Sequence, residues 1–596
     1  MPNTLKNILV QDFTSYPYIF EQNVDVPLTS YENGLIRVNV YRPHDSGSNQ
    51  RYPVLVTYGP YGKDVPYEDF RKPSFDQVNP DHKSVHSAWE TPDPLWWTQR
   101  GYIVVRADER GVGQSPGVMD TMSCSTSEAF FDLIEWSADQ YWSSGKVGLL
   151  GISYYAGSQW RVAARSPRGL AAIIPWEGMS DYYRDRVRHG GILSDKFIRF
   201  WWNTQVGVNQ YGRPRKPGSA FPPTIEGDLT EEELKANLND QTIDTAKYRF
   251  RDDEYYASKD FNLEDIKVPV LSVANWGGIL LHLRGNVEGY SHAGSTHKYL
   301  RFITGRHDLP FYYREEAELQ KSFLDAFLKS EDRVGWSIPG KVAPVSVVLR
   351  KGNVGVNNAE AEKAYRRRDE LAWPLPSTEY DKYYLGKDGS LSKTVNTEIK
   401  EQGVLQWKAL SEDSQDILTF TTAPFPANTE FTGHVVAHLN VSVAKDNDGN
   451  LPADLDLFIT VRHLDSSGQE IFYTGTAGDP VPVTKGWLRC SLRRTNPEHP
   501  HHRPYLPYRN YFSTDVEMLE EGEVYAVDVE IWPTNVVVEK GGRVVFEVAS
   551  ADTQGSAIFK HEHPEDRNRA VFAGLNRLHF GVGEGNYVTL PYIRSE

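Results

Sequence analysis

One serine stands among small residues at the end of an apolar run, in Gly148-Leu149-Leu150-Gly151-Ile152-Ser153-Tyr154-Tyr155-Ala156-Gly157. Residues 147–150 read as a short buried strand and residues 158–165 as the helix that follows, with Ser153 on the turn between. The spacing is a Gly-x-Ser-x-Gly elbow whose second glycine is displaced, since Tyr155 takes its place and Gly157 follows. An elbow holds its nucleophile in a strained backbone conformation, so the residues beside it must be small. The implied chemistry is attack by the serine hydroxyl. That requires a base to take its proton, an acid to orient the base, and donors aimed at the developing oxyanion. The backbone N–H of Tyr154, at the positive end of the helix, supplies one donor. A second belongs on the loop after an early strand, and Gly59-Pro60-Tyr61-Gly62-Lys63 follows the apolar run 52–58. Tyr61 can donate through its hydroxyl.

Strands and helices have to hold these groups in place. Residues 52–58, 102–107, 147–150, 171–175, 268–274 and 299–304 read as buried strands, and 35–41 alternates as an edge strand. Residues 128–136 have helical apolar spacing. This alternation predicts a mostly parallel sheet covered on both faces, with ligands at the carboxyl ends of the strands, where Ser153 lies. Residues 64–97 read as a polar, aromatic excursion. Residues 176–266 break the rhythm with Tyr, Trp, Arg and Asp, and Thr230 with Glu233 forms a helix-capping pair there. Inserted between two sheet strands, this segment reads as a cap over the active face. The helical stretch 312–328 closes the domain, and alternating strands with turns such as Asp448-Gly449-Asn450 follow. Residues 345–349, 435–443, 457–462, 524–531 and 544–548 are examples, and they predict a β-sandwich of jelly-roll type.

The chain has 596 residues, 39% of them hydrophobic, and a net charge of -16. Its mean hydropathy is -0.53. The length suits more than one core. Neither a membrane span nor a signal peptide is legible, which predicts a cytoplasmic protein. The acidic balance, with no basic cluster, argues against nucleic acid or an anionic membrane as partner. Cys124 and Cys490 have no metal or redox spacing and read as buried small hydrophobes. Gly111-x-Gly113 follows a strand, but Pro116 takes the place of the third glycine of a dinucleotide loop, so no nucleotide cofactor is expected. His499-Pro500-His501-His502 lies in a Pro-rich setting and reads as a surface loop, with His297 a scattered candidate, so no metal is expected.

Further motifs stand in register with the elbow: Asp108-x-Arg110-Gly111, Asp132-Leu133-Ile134-Glu135-Trp136, Trp142-Ser143-Ser144-Gly145-Lys146-Val147-Gly148 and Pro60-Tyr61-x-Lys63. Together they resemble the cocaine esterase and X-Pro dipeptidyl-peptidase family of serine hydrolases, over nearly the whole chain. The resemblance implies an α/β-hydrolase domain at residues 1–175 and 267–335, a helical cap at 176–266, and a C-terminal jelly roll at 336–596. It implies ester or amide cleavage through an acyl-enzyme, without a cofactor. It also makes Tyr61 and the N–H of Tyr154 the oxyanion donors.

The chain departs from the family where the triad acid is expected. Asn275-Trp276-Gly277-Gly278 carries glycine in place of aspartate. An acid from the end of the preceding strand can substitute, and Glu177 and Asp181 lie there, with Asp308 a third possibility. The base belongs on the loop after residues 299–304, which makes His307 the candidate and His282 the fallback, with a substrate role as its other use. Trp176, Phe200, Trp201, Trp202 and Trp276 are the aromatic candidates beside the substrate, with Asp181, and they favour a small apolar or aromatic substrate. A homodimer is compatible with this family. Two other readings stay open here: an acyltransferase, cyclase or lyase using the same site, and a binding protein without catalysis.

Overall fold

The computed structural model describes residues 7–31, 34–213, 230–394, 402–410 and 416–594, so residues 214–229 of the expected cap lie outside the described residues. The first half of the chain contributes strands β1 (Val10–Asp12), β2 (Ile19–Pro27), β3 (Leu35–Arg42), β4 (Tyr52–Gly59), β5 (Ile103–Asp108), β6 (Ser143–Ile152) and β7 (Leu170–Trp176). After these come the small hairpin β8 (Arg188–His189) and β9 (Ile192–Leu193), then β10 (Val270–Asn275), β11 (Lys298–Ile303), β12 (Val345–Leu349) and β13 (Arg366–Glu370). All but β8 and β9 form one sheet in the order β1-β2-β3-β5-β4-β6-β7-β10-β11-β12-β13. From β5 to β12 the pairing is parallel, while β1 to β3 and β13 join antiparallel. The parallel strands are near-continuous apolar runs because both of their faces are covered. Helices Cys124–Asp139, Tyr154–Ala164 and Leu283–His292 pack against them.

Four expectations change. Residues 35–41 are not an edge, because β1 and β2 pair outside β3, whose residues are buried along most of its length. Residues 345–349, expected in the sandwich, form β12 and pair parallel with β11. Helix Arg314–Leu324 is the crossover such a pair requires, so it connects two strands of this sheet rather than closing the domain. Cys124 is exposed at the start of its helix, and Cys490 alone is buried.

The C-terminal half forms an all-β sandwich from a second sheet of twelve strands. Its path returns on itself, because Tyr587–Ile593 pairs with both Thr378–Leu385 and Thr429–Ala444. The two halves share a core in which Trp276 and Phe302 meet Trp373, Tyr473 and Trp487. At Gly277 a Cβ would stand 1.9 Å from the carbonyl oxygen of Thr474, so only glycine admits the sandwich loop here. Among the described residues, no helix is long and apolar enough to cross a membrane.

Candidate active site

Strand β6 ends at Ile152 and helix Tyr154–Ala164 begins at once, which leaves Ser153 at φ 63° and ψ -115°. A non-glycine residue held there stores about 1–3 kcal/mol of strain. The turn is over-determined by its bonds: the Ser153 N–H donates to Trp176 O at 3.0 Å, and its carbonyl accepts from Ala156 and Gly157. Small residues are required because the loop after β7 presses on the helix. A Cβ at Gly178 would lie 2.6 Å from that of Ala156.

The loop after β7 also delivers a carboxylate. Glu177 sits at φ 47° at the strand end. One of its carboxylate oxygens, Oε2, accepts from His307 Nδ1 at 2.9 Å, while Oε1 accepts from Asn275 Nδ2 at 3.1 Å. The other two acids considered lie on arginines, Asp181 on Arg184 and Asp308 on Arg306. A Cβ at Gly278 would stand 3.8 Å from Glu177 Oε2, so the carboxylate occupies the space that a side chain at 278 would enter.

His307 lies on the loop after β11, and its backbone N–H donates to Thr476 O in the sandwich at 3.1 Å. Its Nε2 is 3.2 Å from Glu90 Oε1. Burial alone would lower the pKa of this ring, but Glu177 and then Glu90 outweigh it and push it up to about 10. Burial raises the Glu90 carboxyl to about 7 against the opposing pull of His307. The sequence reading missed Glu90, which is one of seven acids in the aromatic excursion and is marked out by no local pattern.

Ser153 itself meets the other histidine. Its Oγ is 3.2 Å from Nε2 of His282. The Nδ1 of His282 accepts the N–H of Met179 at 3.2 Å, so the ring proton sits on Nε2 and is donated to the serine oxygen. Burial, His307 and Arg186 all hold His282 well below its ordinary pKa, which keeps it neutral. The two imidazoles lie nearly parallel, 12° apart, with centroids separated by 5.2 Å. Among the described residues, His282 is the histidine within hydrogen-bonding distance of Ser153, because Nε2 of His307 is turned to Glu90.

Tyr61 lies beside the elbow, its ring 5.6 Å from that of Tyr155. Its hydroxyl accepts from Trp201 Nε1 at 3.0 Å. An indole N–H only donates, so the phenolic proton is left for another acceptor. Burial pushes the Tyr61 phenol well up, which keeps it a neutral donor. Tyr154 is anchored away from the site by its hydroxyl, which donates to Glu109 at 2.9 Å. Trp201 stacks on the Tyr154 ring, with buried Trp202 beside it. Trp176 packs edge-on against Phe311 at 5.4 Å. The remaining two aromatic candidates are not gathered here: Phe200 is 42% exposed, and Trp276 stacks on Phe302 in the core shared with the sandwich.

The histidine tract lies on a part-exposed loop, where His501 meets Glu264 at 2.6 Å. Glu264, His292 and His501 bring one possible ligand atom each within 4.8 Å of one another. The two rings are stacked, however, with centroids 3.5 Å apart. Imidazole lone pairs lie in the ring plane, so stacked rings do not aim at a common ion.

Residues 33–308 match the family described as X-Pro dipeptidyl-peptidase (S15 family). Residues 340–589 match the X-Pro dipeptidyl-peptidase C-terminal non-catalytic domain. The cocaine esterase of Rhodococcus sp. (strain MB1 Bresler) is 24% identical across 97% of this chain and 99% of its own. A CocE/NonD family hydrolase from Staphylococcus aureus superimposes with a TM-score of 0.80 at 27% identity, covering 97% of this chain and 94% of that one. An α-amino acid ester hydrolase shares the fold, with a TM-score of 0.64 at 15% identity over 99% of this chain and 100% of that one.

Proposed function

Because the chain belongs to the cocaine esterase and X-Pro dipeptidyl-peptidase family of serine hydrolases, we propose that it cleaves a small carboxylic ester or amide through an acyl-enzyme on Ser153. The observation that carries this reading is the 2.9 Å bond from His307 to Glu177, next to a serine held in an elbow. Ser153 Oγ attacks the acyl carbon while its proton passes to Nε2 of His307, and Glu177 stabilises the imidazolium. The phenol of Tyr61 and the N–H of Tyr154 hold the oxyanion. Collapse of the tetrahedral intermediate expels the alcohol or amine, which takes the proton back from His307. Water, deprotonated by the same ring, then releases the acid. At rest Nε2 faces Glu90, whose carboxyl titrates near neutrality and can hold that proton. His282 polarises the serine oxygen as a neutral donor. The aromatic walls formed by Tyr61, Trp201 and Trp202 suit an apolar or aromatic group.

The 3.2 Å contact to Ser153 favours a second reading, in which His282 is the base. That role requires the proton to move to Nδ1 and the Met179 N–H contact to be given up. The two readings separate in mutants. With His307 as base, His307→Gln lowers kcat/KM by about 10³–10⁴-fold. His282→Gln, whose amide still donates, should then cost about tenfold. The reverse ranking moves the base to His282. Fluorophosphonate labelling tests the nucleophile: the wild type should label and Ser153→Ala should not. Equal labelling of the two would remove the hydrolytic reading altogether.

A further inference from the structure

The short turn Tyr182–Val187 that follows β7 is dense in charge, and nearly every charge on or beside it is paired. Arg184 meets Asp181, Asp185 meets Arg284 at 2.9 Å, and Arg188 meets Asp566 at 2.7 Å. Arg186 is the exception. It is only 3% exposed, and among the described residues no carboxylate lies within ion-pair distance of it. Its Nη1 donates to the Tyr182 hydroxyl at 3.1 Å, while Nη2 is buried with no hydrogen-bond partner among the described residues. The guanidinium carbon lies 4.3 Å above the ring of Trp201, whose indole N–H is the one that holds Tyr61. The positive charge therefore stands within one aromatic ring of the oxyanion donor, and it acts electrostatically on both Tyr61 and His282. A buried cation without a counterion is unfavourable unless a ligand supplies the missing charge. A guanidinium nitrogen left without an acceptor can donate to a carboxylate oxygen.

We propose that Arg186 is the recognition point for a carboxylate carried by the substrate, so that the enzyme prefers esters or amides of molecules bearing a second, anionic group near the scissile bond. This inference rests on the serine-hydrolase reading and narrows its substrate class. Trp201 and Tyr182 pack against the apolar part of the guanidinium. They leave Nη2 as the position that a carboxylate oxygen would fill.

Two matched ester pairs test this in the wild type before any residue is changed. On the acyl side, p-nitrophenyl hemiglutarate is compared with p-nitrophenyl pentanoate. On the leaving-group side, 3-butyryloxybenzoate is compared with phenyl butyrate. In at least one pair the anionic ester should have the higher kcat/KM, by about tenfold or more and mainly through KM. Arg186→Gln should collapse that ratio towards one, and Arg186→Lys should restore part of it. Thermal melting should report whether each variant is folded. If neither anionic ester is preferred, or if the preference survives in Arg186→Gln, the proposal fails. Turnover of the neutral esters and fluorophosphonate labelling of Ser153 report on the hydrolase reading independently, so failure of one is distinguishable from failure of the other.

Discussion

Glu177 and Glu90 hold the two nitrogens of His307, at 2.9 Å and 3.2 Å, and the ring is charged over a wide pH range as a result. On the proposed reading His307 is the general base, which must be neutral to act, so this pair of carboxylates would set the pH at which activity begins. Activity rises as pH passes upward through the apparent pKa of the coupled groups, which belongs to the cluster rather than to one residue. Removing Glu90 removes part of what raises His307 from its ordinary value to about 10. Glu90→Gln should therefore move the acidic limb of the kcat/KM profile to lower pH, by about one unit or more. A profile that does not move would mean that Glu90 does not share the proton of His307.

At the level of elements, the site is assembled at the ends of neighbouring parallel strands. Strands β7 and β10 are paired with Trp176 opposite Val273, so the residues just past their ends converge. Glu177 comes from the first and Gly278 from the second, and a Cβ built at 278 would stand 3.8 Å from Glu177 Oε2, so a side chain there would enter the space this carboxylate holds. Glu177→Ala should lower kcat about 10³–10⁴-fold. Adding Gly278→Asp to that variant should recover at least about tenfold, because the new side chain enters the vacated space. A double variant no faster than Glu177→Ala would show that position 278 does not aim at the histidine.

For the whole molecule, buried ion pairs as well as a shared core bind the sandwich to the first half. Asp566 bonds Arg188 of the β8–β9 hairpin at 2.7 Å and Arg489 of the sandwich at 3.0 Å. Burial alone would raise the Asp566 carboxyl, but Arg489 and then Arg188 hold it well below the usual range. Its contribution to stability is thus fully present above the ordinary aspartate pKa of about 3.9 and is lost as pH falls below that value. Asp566→Asn would leave two buried guanidinium groups without this counter-charge. It should lower stability by about 3–5 kcal/mol and bring down the melting temperature. An unchanged melting temperature would mean that Asp456, which Arg489 also meets at 2.9 Å, compensates alone.

The elbow around Ser153, the Tyr61 loop and the change from alternating strands and helices to strands alone were legible in the chain itself. Each depends on neighbours in sequence: small residues at a turn, or a periodicity that declares which face is buried. The glycine at 278 was legible as a missing acid in the same way. Glu177 was one of three candidates for its replacement in the sequence, and its contact with His307 is a distance across neighbouring strands. Tertiary structure alone decided that contact, the turning of His307 towards Glu90, and the approach of His282 to the serine. It also returned β12 to the first sheet and left Arg186 without a carboxylate among the described residues. Such facts are settled by groups distant in sequence competing for the same few ångströms, and a one-dimensional pattern carries no record of that competition.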